Sequence, residues 1–229
     1  MEEYKYAKVL TIILTIVVIG VLILLGFLGI DIYKKYATEK EVAKVIDDYD
    51  TALNTIENAT TNENTELPDI ATEPSQNITN SDTSEGGTSG KQPVKIQYEG
   101  YNVEGKIEIP AINLKYPILE KTTPSSIETA VAIMYSANGL NQPGNTVIAG
   151  HNYRNGSFFG NNDKLKIGDK VYITDNSGTK IKYNIYNIYE TSPDDSDFIM
   201  RETNGKREIS LSTCTDNSKA RLIIWAVEE

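Results

Sequence analysis

The 229-residue chain contains one cysteine and one histidine. Cys214 closes the stretch EISLSTC and His151 closes GNTVIAGH, so each stands at the end of a run with strand character. A thiol attacks a carbonyl only as thiolate, and an imidazolium beside it lowers its pKa and raises that fraction. Acyl transfer also needs a group that holds the carbonyl oxygen as the tetrahedral intermediate becomes negative. A guanidinium suits this task, being permanently charged with several donors in one plane. Arg221 lies seven residues after Cys214, a separation that lets the turn TDNSKA return it beside the thiol. Arg154, Arg201 and Arg207 are rivals whose spacing predicts no such proximity. Each residue has a plainer reading: a packed thiol, a satisfied histidine, a solvated arginine. Their joint arrangement carries the chemistry.

The elements that must position them begin with Val9 to Ile30, twenty-two residues without a charge. At about 1.5 Å per residue this run reaches across a ~30 Å hydrocarbon core, and it exceeds the apolar region of a cleaved signal peptide. The spacing predicts a cytoplasmic tail over 1–8 and a transmembrane helix over 9–30. Val42, Val45, Ile46, Tyr49, Leu53 and Ile56 recur at intervals of three and four, which predicts a juxtamembrane helical stalk over 31–58. Residues 59–92 hold no aromatic side chain and few large apolar ones, the composition of a disordered spacer that sets the following domain away from the lipid. Residues 37–92 carry three lysines against twelve acidic groups, so the net charge of −10 belongs to this middle segment. The remainder is nearly balanced, which gives no electrostatic ground for nucleic-acid binding.

An exported domain of 93–229 follows, with predicted strands at 94–98, 105–109, 145–149, 170–174, 180–189, 208–213 and 221–227. Asp175-Asn-Ser-Gly178 separates two alternating runs as a hairpin turn. Ser126–Tyr135 reads as a helix capped by Ser125 or Ser126. Many short strands with little helix predict an all-β fold, a closed or nearly closed barrel of about eight strands. If Cys214 is merely buried, the domain is a non-catalytic tethered adhesin or receptor module. A papain-like hydrolase places its cysteine before its histidine, the reverse of the order here.

NTVIAGHN, followed 63 residues after the histidine by LSTC and then by ARLIIWA, resembles the sortases. These are membrane-anchored cysteine transpeptidases with a strand-end histidine and a T-L-x-T-C segment followed by arginine. The likeness extends upstream through GKIEIPAINLKYPIL; Ser210 stands where the first threonine of the motif is common. The resemblance implies that Cys214 attacks a C-terminal L/N-P-x-T-type signal after its threonine and forms a thioester. It implies His151 as general acid and then base, in a resting state largely of neutral thiol and imidazole. Arg221 would hold the substrate carbonyl or oxyanion, with Leu211 and Thr213 as substrate-binding strand residues. The implied partners are surface proteins carrying the signal and a peptidoglycan or pilin amine, with the catalytic domain extracellular on a single-pass anchor.

GHNYRNGSFFGNNDKL resembles class B sortases, while the interval to Cys214 is short for their helical insertion. The chain ends four residues after Trp225 without a second span, unlike the pilus-building class, and the subclass stays open. No cofactor is implied; Asp194, Asp195 and Asp197 offer oxygen ligands for calcium against the plainer reading of a solvated loop. Lys5 and Lys8 precede the span while Lys34, Lys35, Lys40 and Lys44 follow it, a bias that opposes the implied orientation.

Overall fold

The computed structural model describes residues 2–62, 93–153, 155–215 and 218–229. Helix α1 spans Glu2–Asn62. Nine strands follow: β1 Ile96–Tyr98, β2 Tyr101–Ile109, β3 Leu114–Leu119, β4 Val131–Ser136, β5 Gly144–Ala149, β6 Lys170–Asp175, β7 Lys180–Thr191, β8 Arg207–Thr215 and β9 Ala220–Glu228. A single helical turn, α2 at Ser126–Thr129, lies between β3 and β4. The sheet runs β1-β2-β3-β4-β5-β8-β9-β7-β6, and a further pairing of β2 with β6 closes the last eight strands into a barrel. The expected all-β, eight-stranded closure is what forms.

Alternation along the strands builds two apolar faces. Ile148 of β5, Ile209 and Leu211 of β8, and Leu222, Ile224 and Ala226 of β9 point into the main core. Val147 and Ile223 point outward and pack with Phe198 from the β7–β8 loop in a second cluster. Closure depends on one glycine at the seam. A Cβ on Gly105 would sit 2.4 Å from the Thr174 carbonyl oxygen and 2.6 Å from Leu140 Cδ2, so only the bare backbone lets β2 meet β6.

The expected helix over 126–135 is corrected to one turn followed by strand. Val131 to Ser136 is taken by pairing with β3 on one side and β5 on the other, and this pairing outweighs the N-cap signal at Ser125 and Ser126. Strand β3 escapes sequence reading because Pro117 interrupts it. The proline is tolerated because β4 pairs with β3 only at Ile118 and Leu119.

Residues 31–58 lie within α1 and do not stand as a free stalk. Val42, Ile46 and Tyr49 are buried in the main core, with Val45, Leu53 and Ile56 packed against it. The Tyr49 hydroxyl donates to the Thr174 carbonyl at 3.3 Å. Lys106 of β2, 8% exposed, forms an ion pair with Asp50, and Lys115 approaches the other Asp50 oxygen at 3.5 Å. Among the described residues, α1 is also the one helix long and apolar enough to cross a membrane, and its most apolar window is 0% buried.

The predicted spacer lies almost wholly outside the described residues, but the segments on either side of it are placed. Leu53 Cδ2 would lie 3.7 Å from a Cβ on Gly178, and Val94 N donates to the Asn176 carbonyl at 2.9 Å. The chain therefore returns to the same corner of the barrel, and α1 holds the domain beside the apolar span. Replacing Asp50 with Ala should lower the Tm of the detergent-solubilised full-length chain by a few degrees. That corresponds to about 1–2 kcal/mol, discounted because the Asp50 side chain is 35% exposed. An unchanged Tm would mean that the helix does not dock.

Candidate active site

Strands β5, β8 and β9 place the three sequence-nominated residues at one end of the barrel. β8 and β9 are antiparallel, and their register sets Cys214 directly opposite Arg221. Directly opposed residues share a face, with Cβ atoms about 5 Å apart. β5 and β8 are parallel, with Ala149 beside Ser212 as the last pair. The pairing continues past the strand end: Gly150 N donates to the Ser212 carbonyl at 3.1 Å, and Asn152 Nδ2 to the Cys214 carbonyl at 2.8 Å. His151 thus follows Gly150 at the strand end adjacent to Cys214. A Cβ on Gly150 would come within 2.9 Å of both Phe159 and Val131, so a glycine is needed for the chain to turn out of the sheet here.

The period of two sorts the surrounding residues. Ser210, Ser212 and Cys214 lie on the outer face, while Ile209, Leu211 and Thr213 face inward. Leu211 is 0% exposed in the core, and the buried Thr213 hydroxyl donates to the Gly150 carbonyl at 2.7 Å. The expectation that these two bind substrate is corrected: both point away from the thiol. Thr213 instead fastens β8 to the residue preceding His151. Cys214 itself is a free, half-buried thiol.

Arg221 donates through Nε to the Pro193 carbonyl at 2.9 Å, so the β7–β8 loop fixes its guanidinium plane. Two rivals are committed elsewhere. Arg201 pairs with Glu208, both about one-tenth exposed, and its guanidinium lies 4.5 Å above the Trp225 ring. Arg207 pairs with Glu228 at 2.8 Å. Arg154 lies outside the described residues. Ser210, the departure from the expected motif, donates to Asn145 Oδ1 at 3.0 Å. Asn145 Nδ2 in turn donates to the carbonyls of Phe198 at 3.0 Å and Ile199 at 2.9 Å, which anchors the same loop over the outer face.

Sequence reading missed two residues at the histidine. Glu128 of α2 brings Oε1 to 3.3 Å from His151 Nε2. Tyr153 stacks 5.2 Å from the imidazole and donates its hydroxyl to Glu128 Oε2 at 2.5 Å. Burial and then this bond push the Tyr153 phenol up to about 12, so it remains a neutral donor. No spacing rule links residues 128 and 151; only β4 pairing beside β5 brings α2 to the strand end.

The Sortase domain family model matches residues 107–229, more than half of the sequence, and the chain belongs to the sortase family. It is 34% identical over 125 residues to Sortase A of Bacillus anthracis, covering 53% of this chain and 58% of that protein. The chain thus spans under two thirds of that relative's length. Among solved structures, Sortase A from Corynebacterium diphtheriae superposes with a TM-score of 0.51 at 28% identity, covering 56% of this chain and 61% of that one. A Clostridium perfringens Sortase D5 transpeptidase reaches a TM-score of 0.55 over 83% of this chain and 97% of its own, at 20% identity, a likeness of fold.

The three aspartates of the β7–β8 loop do not converge as a ligand group. Asp195 is turned to the protein: Thr191 donates to Oδ2, and the Asp197 amide donates to Oδ1 at 2.8 Å. These bonds hold its carboxyl below the usual carboxylate range. Calcium titration and EDTA should each leave the Tm of the full-length chain unchanged. A Tm that rises with calcium would restore the metal reading.

Proposed function

We propose that this chain is a membrane-anchored cysteine transpeptidase. The observation that carries the reading is the register that opposes Cys214 to Arg221 with His151 at the neighbouring strand end. The Cys214 thiolate attacks the threonine carbonyl of a C-terminal L/N-P-x-T-type sorting signal. Arg221 neutralises the oxyanion, the C–N bond breaks, and His151 gives its proton to the departing amine, leaving a thioester on Cys214. A cell-wall or pilin amine then enters, His151 takes its proton, the new amide forms and the thiolate leaves. Water in place of the amine gives hydrolysis as the side reaction. The reaction uses no cofactor.

The substrates are surface proteins bearing such a signal, and the catalytic domain lies outside the cell on its single span. Docking of α1 supports membrane-proximal action: Lys35, five residues past Ile30, donates to the Asn155 carbonyl at 2.8 Å, in the loop that follows His151. Incubating the full-length chain in detergent with Pro-x-Thr peptides and a primary-amine peptide should yield, by mass spectrometry, acylated Cys214 and a ligated product. Cys214→Ala should abolish both, and Arg221→Ala should lower kcat/KM by roughly 10²-fold to 10³-fold. No acyl-enzyme across the panel would remove the reading.

Orientation has a separate test, because Cys214 is the one cysteine in the sequence. An impermeant thiol reagent should label it in intact cells. Labelling only after lysis would favour the orientation that the flanking lysines predict.

A further inference from the structure

We propose that Glu128 is a positioning residue that acts through His151, so that Cys214, His151 and Glu128 form a thiol–imidazole–carboxylate series. The proposal rests on the transpeptidase reading and adds a third member to its acid–base machinery. His151 Nε2 is buried and makes no hydrogen bond, although the side chain as a whole is 34% exposed. The charged group that reaches this nitrogen is Glu128 Oε1 at 3.3 Å. Catalytic hydrogen bonds are commonly long and misaligned without substrate and tighten when it binds.

Glu128 is held where it stands from two directions. The buried Ser126 hydroxyl donates to the Lys121 carbonyl at 2.8 Å and accepts the Thr123 amide at 2.7 Å, which fixes the turn carrying Glu128. Tyr101 of β2 donates to Ser125 Oγ at 2.6 Å. Tyr153 then grips Glu128 Oε2 from the other side and lies against the imidazole. A carboxylate clamped on both sides, with one oxygen facing a buried ring nitrogen, is arranged to hold that ring.

Cys214 of β8 and Arg221 of β9 stand opposite each other beside the strand end that carries His151, and the neutral Tyr153 of its own loop lies against the ring. The Glu128 carboxylate attracts the ring nitrogen that faces it and holds the ring in one orientation. Solvent screening moderates the effect, since the Glu128 side chain is 62% exposed.

A sequence with one histidine and one cysteine makes both groups directly observable. Glu128→Gln in the full-length chain should shift and broaden the single imidazole Cε1–H resonance, read by NMR at one fixed pH, because the ring loses the carboxylate that orients it. Alkylation of Cys214 by iodoacetamide near neutral pH should slow about three-fold to ten-fold, with Glu128→Asp recovering part of the loss. Tyr153→Phe, which unfastens Glu128 without altering α2, should move both readouts in the same direction by less. It carries the test if the Gln variant does not fold. An imidazole resonance and an alkylation rate unchanged from wild type would overturn the proposal. Neither measurement uses a peptide substrate. A chain that never forms an acyl-enzyme refutes the transpeptidase reading, whereas an unmoved imidazole resonance and alkylation rate refute only the role of Glu128.

Discussion

The register of β8 between its two neighbours is the constraint on which the rest of the site depends. Side chains alternate along a strand, so a slip of one residue would turn Cys214 into the barrel and Thr213 out. The sequence prevents this by chemistry on both faces. Ile209 and Leu211 are buried inside at 1% and 0% exposure, where a serine or a thiol in their place would leave polar atoms against aliphatic walls. Ser210 faces outward, where its hydroxyl meets Asn145. Because the core fixes β8, it also fixes which residue β9 sets opposite the thiol, and Arg221 is that residue.

Two elements outside the barrel complete the arrangement, each holding one charged member. The β7–β8 loop presents the Pro193 carbonyl to Arg221, and it is itself pinned through Asn145 to Phe198 and Ile199. The turn at α2 presents Glu128 to His151. The strands supply positions, while these two connections supply orientation for long side chains that the sheet alone would leave free. Such preorganisation matters because the oxyanion forms only during reaction, and donors already aimed at it lose little in reorganising.

Much of this was legible in the sequence, for physical reasons that can be named. Cys214 and Arg221 are joined by a short turn, so antiparallel pairing follows almost from their spacing. His151 follows a strand that lies over sixty residues from Cys214, and only chemistry and family resemblance point to it in the sequence. Glu128 was invisible because its approach depends on β4, a segment whose residues read equally as helix; the parallel contact with β3 and the antiparallel ladder with β5 decide the matter. The inward direction of Leu211 and Thr213 was available from alternation, had Cys214 been taken as the reference for the outer face. The apolar stripe of α1 is legible as a helix face but its partner is not, because period alone does not say what covers a stripe.

What covers it changes how the apolar run and the site are related. Val42, Ile46 and Tyr49 bury against the barrel within a few turns of the apolar run, and Asp50 adds charged contacts to Lys106 and Lys115. A free stalk would let the domain sample orientations relative to the apolar run; a docked helix ties the two together. The same helix touches the loop after His151 through Lys35. That loop also supplies Tyr153, which holds Glu128 against the imidazole. One continuous series of contacts therefore runs from the turn that follows the apolar run to His151, so displacement of α1 would reach the histidine through this loop as well as through the core that α1 shares with β8.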